Sequence, residues 1–158
     1  MINMELPENF TENTIDQFPI NFIFDLIGRQ HHIALKKELE PYNINVSEYH
    51  IIMKLYTEGK KTQQDIARSF YLTEGTVARS IRHLEDKNLI KREIDENNRR
   101  RNFVYLTDKS KKLASKIDDL DNQWENTVCN FLTKEDIHNL KQVLYKITIN
   151  SINTKEKL

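Results

Sequence analysis

The chain contains few of the residues on which several classes of protein depend. One cysteine in 158 residues cannot form an internal disulfide and fits a reducing compartment. No stretch without a charged residue is longer than eight, as in residues 126–133, which is too short to cross a bilayer. The N-terminus has no basic region followed by an apolar core, so it does not resemble a signal peptide. We therefore predict a cytoplasmic protein.

The scarcity of glycine and of clustered metal ligands argues against an enzyme. Only three glycines are present, and they form no glycine-rich phosphate loop. No paired carboxylates and no set of His and Cys at ligand spacing suggest a catalytic centre. We predict no catalytic residues, no cofactor and no metal. The 24 basic and 24 acidic residues balance, so any nucleic-acid site must be local.

Residues 61–107 predict two short helices followed by a β-hairpin. Thr62 and Asp65 have the spacing of a capping box at the start of the first helix, and Thr73 can cap the second. The second helix then has an apolar stripe at helical spacing, Val77, Ile81 and Leu84. Its opposite face must therefore be polar and exposed.

That polar face suits the base edges and phosphates of a DNA major groove. Arg79 is the best candidate for a guanine contact, whereas Arg82 and His83 are better placed for phosphates. Gln63 and Gln64, at the start of the first helix, are predicted to help hold a phosphate. The predicted contacts from the two helices are Gln63, Gln64, Thr73, Thr76, Arg79, Ser80, Arg82 and His83. The alternative is an ordinary solvated helix face.

The hairpin carries a basic tip. Asn88 is suited to end the helix in the left-handed conformation, and residues 95–101 end in Arg99, Arg100 and Arg101. An arginine-rich tip suits a minor groove. Residues 60–106 hold eleven lysines and arginines against seven acids, so positive charge is concentrated in this stretch. Lys91 and Arg92, at the base of the hairpin, are equally consistent with phosphate contacts and with solvated strand residues.

These residues resemble a known family. Asp95, Arg99, Arg100 and residues 104–107 are similar to the wing signature of the MarR (multiple antibiotic resistance regulator) family. Similar to its helix-turn-helix are residues 62–67, 76–79 and 84–90. The resemblance implies a winged helix-turn-helix repressor that binds DNA as a homodimer, with Arg100 entering the minor groove. The chain departs from the family pattern at Asn98, where Asp is frequent, and at Asn88, where Gly is frequent.

The two ends of the chain predict dimerisation helices. A helix between Pro19 and Pro41, a long helix from Asp108 to about Asn130 and a last helix after Thr133 all carry apolar stripes. Thr133 and Asp136 have the spacing of a capping box at the start of the last helix, and Ser47 is predicted to cap the helix that precedes the helix-turn-helix. Three such helices cannot all pack on a small winged helix, so we predict an intertwined dimer. The predicted interface residues are Ile20, Phe24, Trp124, Leu140, Leu144 and Ile147.

The predicted fold is mainly α with a small β wing, as one MarR-type domain over residues 1–158. Its parts are an arm and dimerisation helix over 1–40, a winged helix-turn-helix over 45–107 and dimerisation helices over 108–158. Within the middle part, the helix-turn-helix covers about 62–88 and the wing about 89–107.

The resemblance also implies an effector pocket, in some relatives for small aromatic acids. Chemically suitable residues for its lining are Phe22, Arg29, His31, Tyr49 and Tyr56. Adjacent histidines such as His31 and His32 point about 100° apart on a helix, which disfavours a metal site there. Cys129 lies among apolar neighbours and is interpreted as packing rather than as a redox sensor.

We therefore predict a cytoplasmic transcriptional regulator. It would bind a pseudo-palindromic operator in double-stranded DNA as a homodimer and act as a repressor that a small effector releases. The alternative is a winged-helix module that mediates protein interaction or dimerisation without reading DNA.

Overall fold

The computed structural model describes residues 6–70, 73–94 and 102–154. The chain forms two compact units, Met1–Asp118 and Asp119–Leu158, which are described in turn. None of the helices in the described ranges is both long and apolar enough to cross a membrane.

The first unit contains five helices and three short strands in its described residues. The helices are α1 (Ile20–Leu39), α2 (Val46–Glu58), α3 (Gln63–Phe70), α4 (Glu74–Asp86) and α5 (Asp108–Ile117). The strands are β1 (Lys61–Thr62), β2 (Ile90–Ile94) and β3 (Asn102–Leu106). Two 3-10 turns, Ile15–Gln17 and Glu40–Tyr42, flank α1. The prediction of a mainly helical fold with a small β wing is confirmed.

The sheet has the order β1-β3-β2, and both pairings are antiparallel. In the hairpin, Ile90 pairs with Leu106 and Ile94 with Asn102. Strand β1 was not predicted, because two residues are too few to show alternation; Lys61 pairs with Val104 and attaches the start of α3 to the hairpin. The sheet therefore fixes the hairpin base next to the helix-turn-helix.

The core of the first unit lies between α2, α4 and the sheet. Its fully buried side chains come from almost every element: Leu39, Ile51, Ile52, Ile66, Val77, Ile81, Leu84 and Ile117. The stripe predicted for α4 is thus completely inward-facing. Burial of each such side chain contributes on the order of 2 kcal/mol of hydrophobic stabilisation.

Three helix ends follow the predicted local chemistry. The Thr62 hydroxyl donates to Asp65 Oδ2 at 2.6 Å and accepts from the Asp65 N–H at 3.2 Å. Thr73 Oγ1 accepts from the Thr76 N–H at 3.2 Å. Asn88 has φ +57°, the left-handed conformation expected after α4. The predicted caps at Thr62 and Thr73 and the predicted helix stop at Asn88 are confirmed.

The start of α2 differs from the prediction. Asn45, not Ser47, is the N-cap: its Oδ1 accepts from the Glu48 N–H and Glu48 Oε2 accepts from the Asn45 N–H, both at 2.9 Å. Asn is among the best N-cap residues, and a Glu three positions later closes the reciprocal pair. Ser47 therefore lies inside the first turn.

The second unit contains α6 (Leu120–Val128) and α7 (Lys134–Thr154). The single long helix predicted from Asp108 to about Asn130 is wrong, because α5 ends at Ile117 and α6 begins at Leu120. Asp118 and Asp119 stand at the break, where negative charge is unfavourable for the C-terminus of a helix and favourable for an N-terminus. Asp119 accepts side-chain bonds from Asn122 at 3.0 Å and from Gln123 at 3.3 Å.

The predicted cap of α7 is confirmed and makes the helix start sensitive to pH. The Thr133 hydroxyl and backbone N–H both donate to Asp136 Oδ2, at 2.6 and 2.9 Å, and these bonds hold the pKa of Asp136 below its ordinary 3.8. A lowered folded-state pKa stabilises the protein above the unfolded value, and this stabilisation is lost as pH falls through the folded value.

We expect Asp136→Asn to increase hydrogen exchange in the first turn of α7 at pH 7. The difference from wild type should shrink below pH 3.8 and disappear at lower pH. Glu135→Gln removes the same charge from the same turn and serves as the control. An equal effect of both substitutions would show that helix-dipole electrostatics, not the cap, dominates.

Candidate nucleic-acid interface

The exposed side of α4 is polar and basic. Val77, Ile81 and Leu84 are fully buried, whereas Arg79, Arg82 and His83 are exposed. Neither arginine forms an ion pair with a residue in the described ranges. Because the buried stripe fixes the rotation of α4 about its axis, these three side chains face outward together.

The N-terminal ends of α3 and α4 are joined at this surface. Gln63 Nε2 donates to the Glu74 carbonyl at 3.3 Å. Thr73 and Thr76 share a side-chain bond of 2.9 Å within the α4 cap. Gln64 is exposed beside them. A cleft of about 180 Å³ lies here, and its lining includes Gln63, Gln64, Glu74 and Arg92.

Acidic neighbours engage much of the remaining positive charge. Arg92 donates twice to Glu85, at 2.8 and 2.9 Å. Lys61 lies 3.2 Å from Glu58, whose pKa is lowered chiefly by the bond from Lys54 and then by that from Lys61. The local charge that is available to a polyanion is therefore smaller than the sequence count.

Lys60 also has partners within the protein. Its Nζ is 5.0 Å from the centre of the Phe103 ring and 3.5 Å from Glu93. Of Lys91 and Arg92, the two residues for which the sequence left a phosphate contact open, only Lys91 has no ion pair within the described residues.

The C-terminal end of α4 is fixed by a contact that the sequence did not predict. Lys87 Nζ donates to the Asn43 carbonyl at 2.7 Å and to Glu48 Oε2 at 2.8 Å. Glu48 is only 1% exposed. Lys109 Nζ in turn donates to the Lys87 carbonyl at 3.0 Å. Helix α4 is thus attached at this end to the α1–α2 junction and to α5.

Comparisons with known proteins agree with this geometry. A model of the MarR family matches residues 44–101. The HTH-type transcriptional regulator MgrA of Staphylococcus aureus is 26% identical over 121 residues, which cover 77% of this chain and 81% of MgrA. The S. aureus MepR–DNA complex superimposes with a TM-score of 0.76 at 28% identity, covering 84% of this chain and 98% of MepR.

A crystal structure of MarR superimposes with a TM-score of 0.80 and covers 98% of this chain and 99% of the other, at 20% identity. At that identity the likeness concerns the fold. The family model, the similarity to MgrA and the superpositions on MarR and MepR support the prediction of a MarR-family protein. It is a winged-helix, DNA-binding transcriptional regulator, and the family confirms the expectation that it is not an enzyme.

The predicted contacts of this MarR-family protein have different surroundings. Arg79, Arg82, His83, Gln64 and Thr73 are exposed. Gln63 and Thr76 are half-buried and already hydrogen-bonded. Ser80, one of the predicted contacts, is buried because it lies next to the apolar stripe. Arg99, Arg100 and Arg101 lie outside the described residues.

The residues predicted for an effector pocket have different surroundings. Phe22 packs against Phe10 and Phe18, at ring distances of 6.1 and 5.3 Å. Tyr49 is buried, and Tyr56 lines a cleft of about 360 Å³ with Gly59 and Tyr105. Arg29 is exposed and His31 half-buried on α1. The effector pocket stays a prediction.

The residues predicted for the dimer interface differ in exposure. Ile20, Phe24 and Leu140 are exposed, whereas Trp124, Leu144 and Ile147 are half-buried. Cys129 is half-buried as well. In the described ranges, no group of three or more His, Cys, Asp and Glu could hold a metal ion.

Proposed function

We propose that this regulator reads a specific sequence in double-stranded DNA, with α4 in the major groove and the hairpin tip at an adjacent minor groove. The observation that carries the proposal is the two-sided α4: its apolar side is fully buried, and Arg79 and Arg82 project outward without ion pairs in the described residues. An arginine free to donate twice suits guanine O6 and N7. Arg100 is proposed to enter the minor groove.

We further propose that the regulator is a homodimer built from the chain ends, residues 1–40 and 108–158. Large apolar side chains are exposed on α1 and α7 of the single chain, among them Ile20, Phe24, Leu140, Val143 and Ile152. Exposed apolar surface of this kind marks an interaction site. A second copy related by a two-fold axis would cover it and place two α4 helices about 34 Å apart, matching a pseudo-palindrome.

The proposed outcome of binding is repression. A dimer on a promoter blocks polymerase, and a small effector that prefers a differently spaced dimer releases it. Incubation with phenolic acids, followed by thermal-shift and DNA-release measurements, tests the effector. No change in either measurement would remove the effector from this proposal. A cytoplasmic location stays a prediction.

A second candidate function, a protein-interaction module without DNA readout, gains support from one observation. Glu85 and Glu58 engage Arg92 and Lys61, which reduces the positive charge available for phosphates. Salt dependence separates the two functions, because each phosphate contacted contributes about −0.9 to the slope of log affinity against log salt.

The deciding experiment is selection of duplexes from a random pool by the purified full-length chain. DNA readout predicts an enriched pseudo-palindrome and a slope equivalent to several phosphates. An unenriched pool, together with a slope near zero, would favour the interaction module. The enriched duplex is the operator used in the experiments below.

A further inference from the structure

The C-terminal end of α4 contains a buried carboxylate behind an exposed histidine. Glu48 Oε2 accepts from the Asn45 N–H at 2.9 Å and from Lys87 Nζ at 2.8 Å. Glu48 Oε1 is also buried and accepts no hydrogen bond from the described residues. A buried carboxylate oxygen without a donor is costly, so this atom needs a partner.

The imidazole of His83 lies close to this oxygen. Its Nδ1 lies 3.7 Å from Glu48 Oε1, slightly beyond hydrogen-bond length. The His83 side chain is 61% exposed and is free to tilt, whereas Glu48 is held on its other oxygen. A movement of less than about 1 Å would close the bond.

Protonation of His83 changes the number of hydrogen bonds that its imidazole can donate. A neutral imidazole donates from one nitrogen only, whereas an imidazolium donates from both. With Nδ1 directed at Glu48, the Nε2 of an imidazolium can donate to a second anion. On the outer face of α4, next to Arg79 and Arg82, a DNA phosphate is the anion that the proposed function supplies.

The other charges around His83 come from three elements. Lys36 and Lys37 of α1, Glu40 of the following turn and Lys87 of α4 line the same cleft of about 560 Å³. Arg79 lies one helical turn before His83. In the described ranges, Glu48 is the acid that pairs with His83.

We infer that Glu48 is a positioning residue for DNA contact, which fixes Lys87 at the end of α4 and holds the His83 imidazolium so that its outer nitrogen donates to a phosphate. The inference rests on the proposed function and deepens it. It makes operator affinity depend on pH, because only an imidazolium can donate to Glu48 and to a phosphate at the same time. DNA itself does not reach Glu48, which is buried.

The test is operator affinity by fluorescence anisotropy from pH 6.0 to 8.5 at fixed ionic strength. The proteins are wild type, His83→Gln, Glu48→Gln and, as the matched control, His138→Gln in α7. We expect wild-type affinity to rise by about tenfold from pH 8 to pH 6, the effect of gaining one hydrogen bond between charged groups. His138→Gln should keep this rise, and His83→Gln should lose it.

Glu48→Gln keeps the shape of the side chain and is expected to flatten the pH profile. A merely structural role would lower affinity equally at every pH, so the shape of the profile separates the two roles. If the Glu48→Gln protein does not fold, the inference is decided by comparing the pH profiles of His83→Gln and His138→Gln. Since His83 is exposed, its substitution leaves the core intact. If His83→Gln leaves the pH profile of operator affinity the same as in wild type, this inference alone is overturned. If the wild-type protein binds no duplex, the proposed function is overturned as well.

Discussion

Replacing Leu140 with aspartate is expected to convert the protein to monomers and to lower operator affinity by roughly 100-fold or more. Leu140 is exposed on α7 in the single chain and is proposed to be buried in the dimer. An unpaired carboxylate is costly to bury. A monomer also loses the avidity of two linked half-site contacts, which is worth 10² or more. Sedimentation and gel shifts with the operator measure the two effects.

The control for this substitution is Asn139→Asp, which introduces the same charge one residue earlier. Asn139 is exposed and is not part of the proposed interface. Circular dichroism should be unchanged for both variants, because neither position belongs to the buried core. A Leu140→Asp protein that remains dimeric would exclude α7 from the dimer interface at this position.

The second large effect is expected for Arg79→Ala. Loss of a bidentate guanine contact costs about 1–3 kcal/mol, or roughly 5- to 150-fold in operator affinity. Because the contact reads a base, preference at that guanine should relax while affinity for a scrambled duplex changes little. Gel shifts at fixed salt with operator, guanine-substituted operator and scrambled duplex measure this directly.

Arg100→Ala is the informative comparison, because the proposed minor-groove contact is less specific for sequence. It should weaken binding to operator and scrambled duplex alike. Arg29→Ala removes an equal charge from α1 and should leave both affinities unchanged in the absence of effector. If Arg79→Ala weakened both duplexes by the same factor, Arg79 would be a phosphate contact.

Much of the helix-turn-helix was predictable because its signals are local. Thr62 with Asp65, Thr73 with Thr76, and Asn88 each act within one turn of chain, and the structure confirms all three. The stripe of α4 was equally clear, since strict helical spacing leaves one rotation that buries it.

The features that the sequence analysis predicted wrongly or did not predict have two different physical causes. The Asn45 cap and the break at Asp118–Asp119 were visible in sequence but competed with other signals, Ser47 in one case and a continuous apolar stripe in the other. By contrast, the Lys87–Glu48 contact joins residues 39 positions apart and depends on how α2 meets α4. No periodicity predicts such a contact, because it is a product of the packed fold.

That contact has a consequence for engineered chimaeras of this family. Transplanting residues 74–87 alone from a relative would remove the ammonium partner of Glu48 whenever the donor has no lysine at position 87. The acceptor scaffold would then retain an uncompensated charge in its interior, and altered operator preference would be confounded with instability. A graft intended to exchange specificity should therefore carry residues 43–48 together with 74–87.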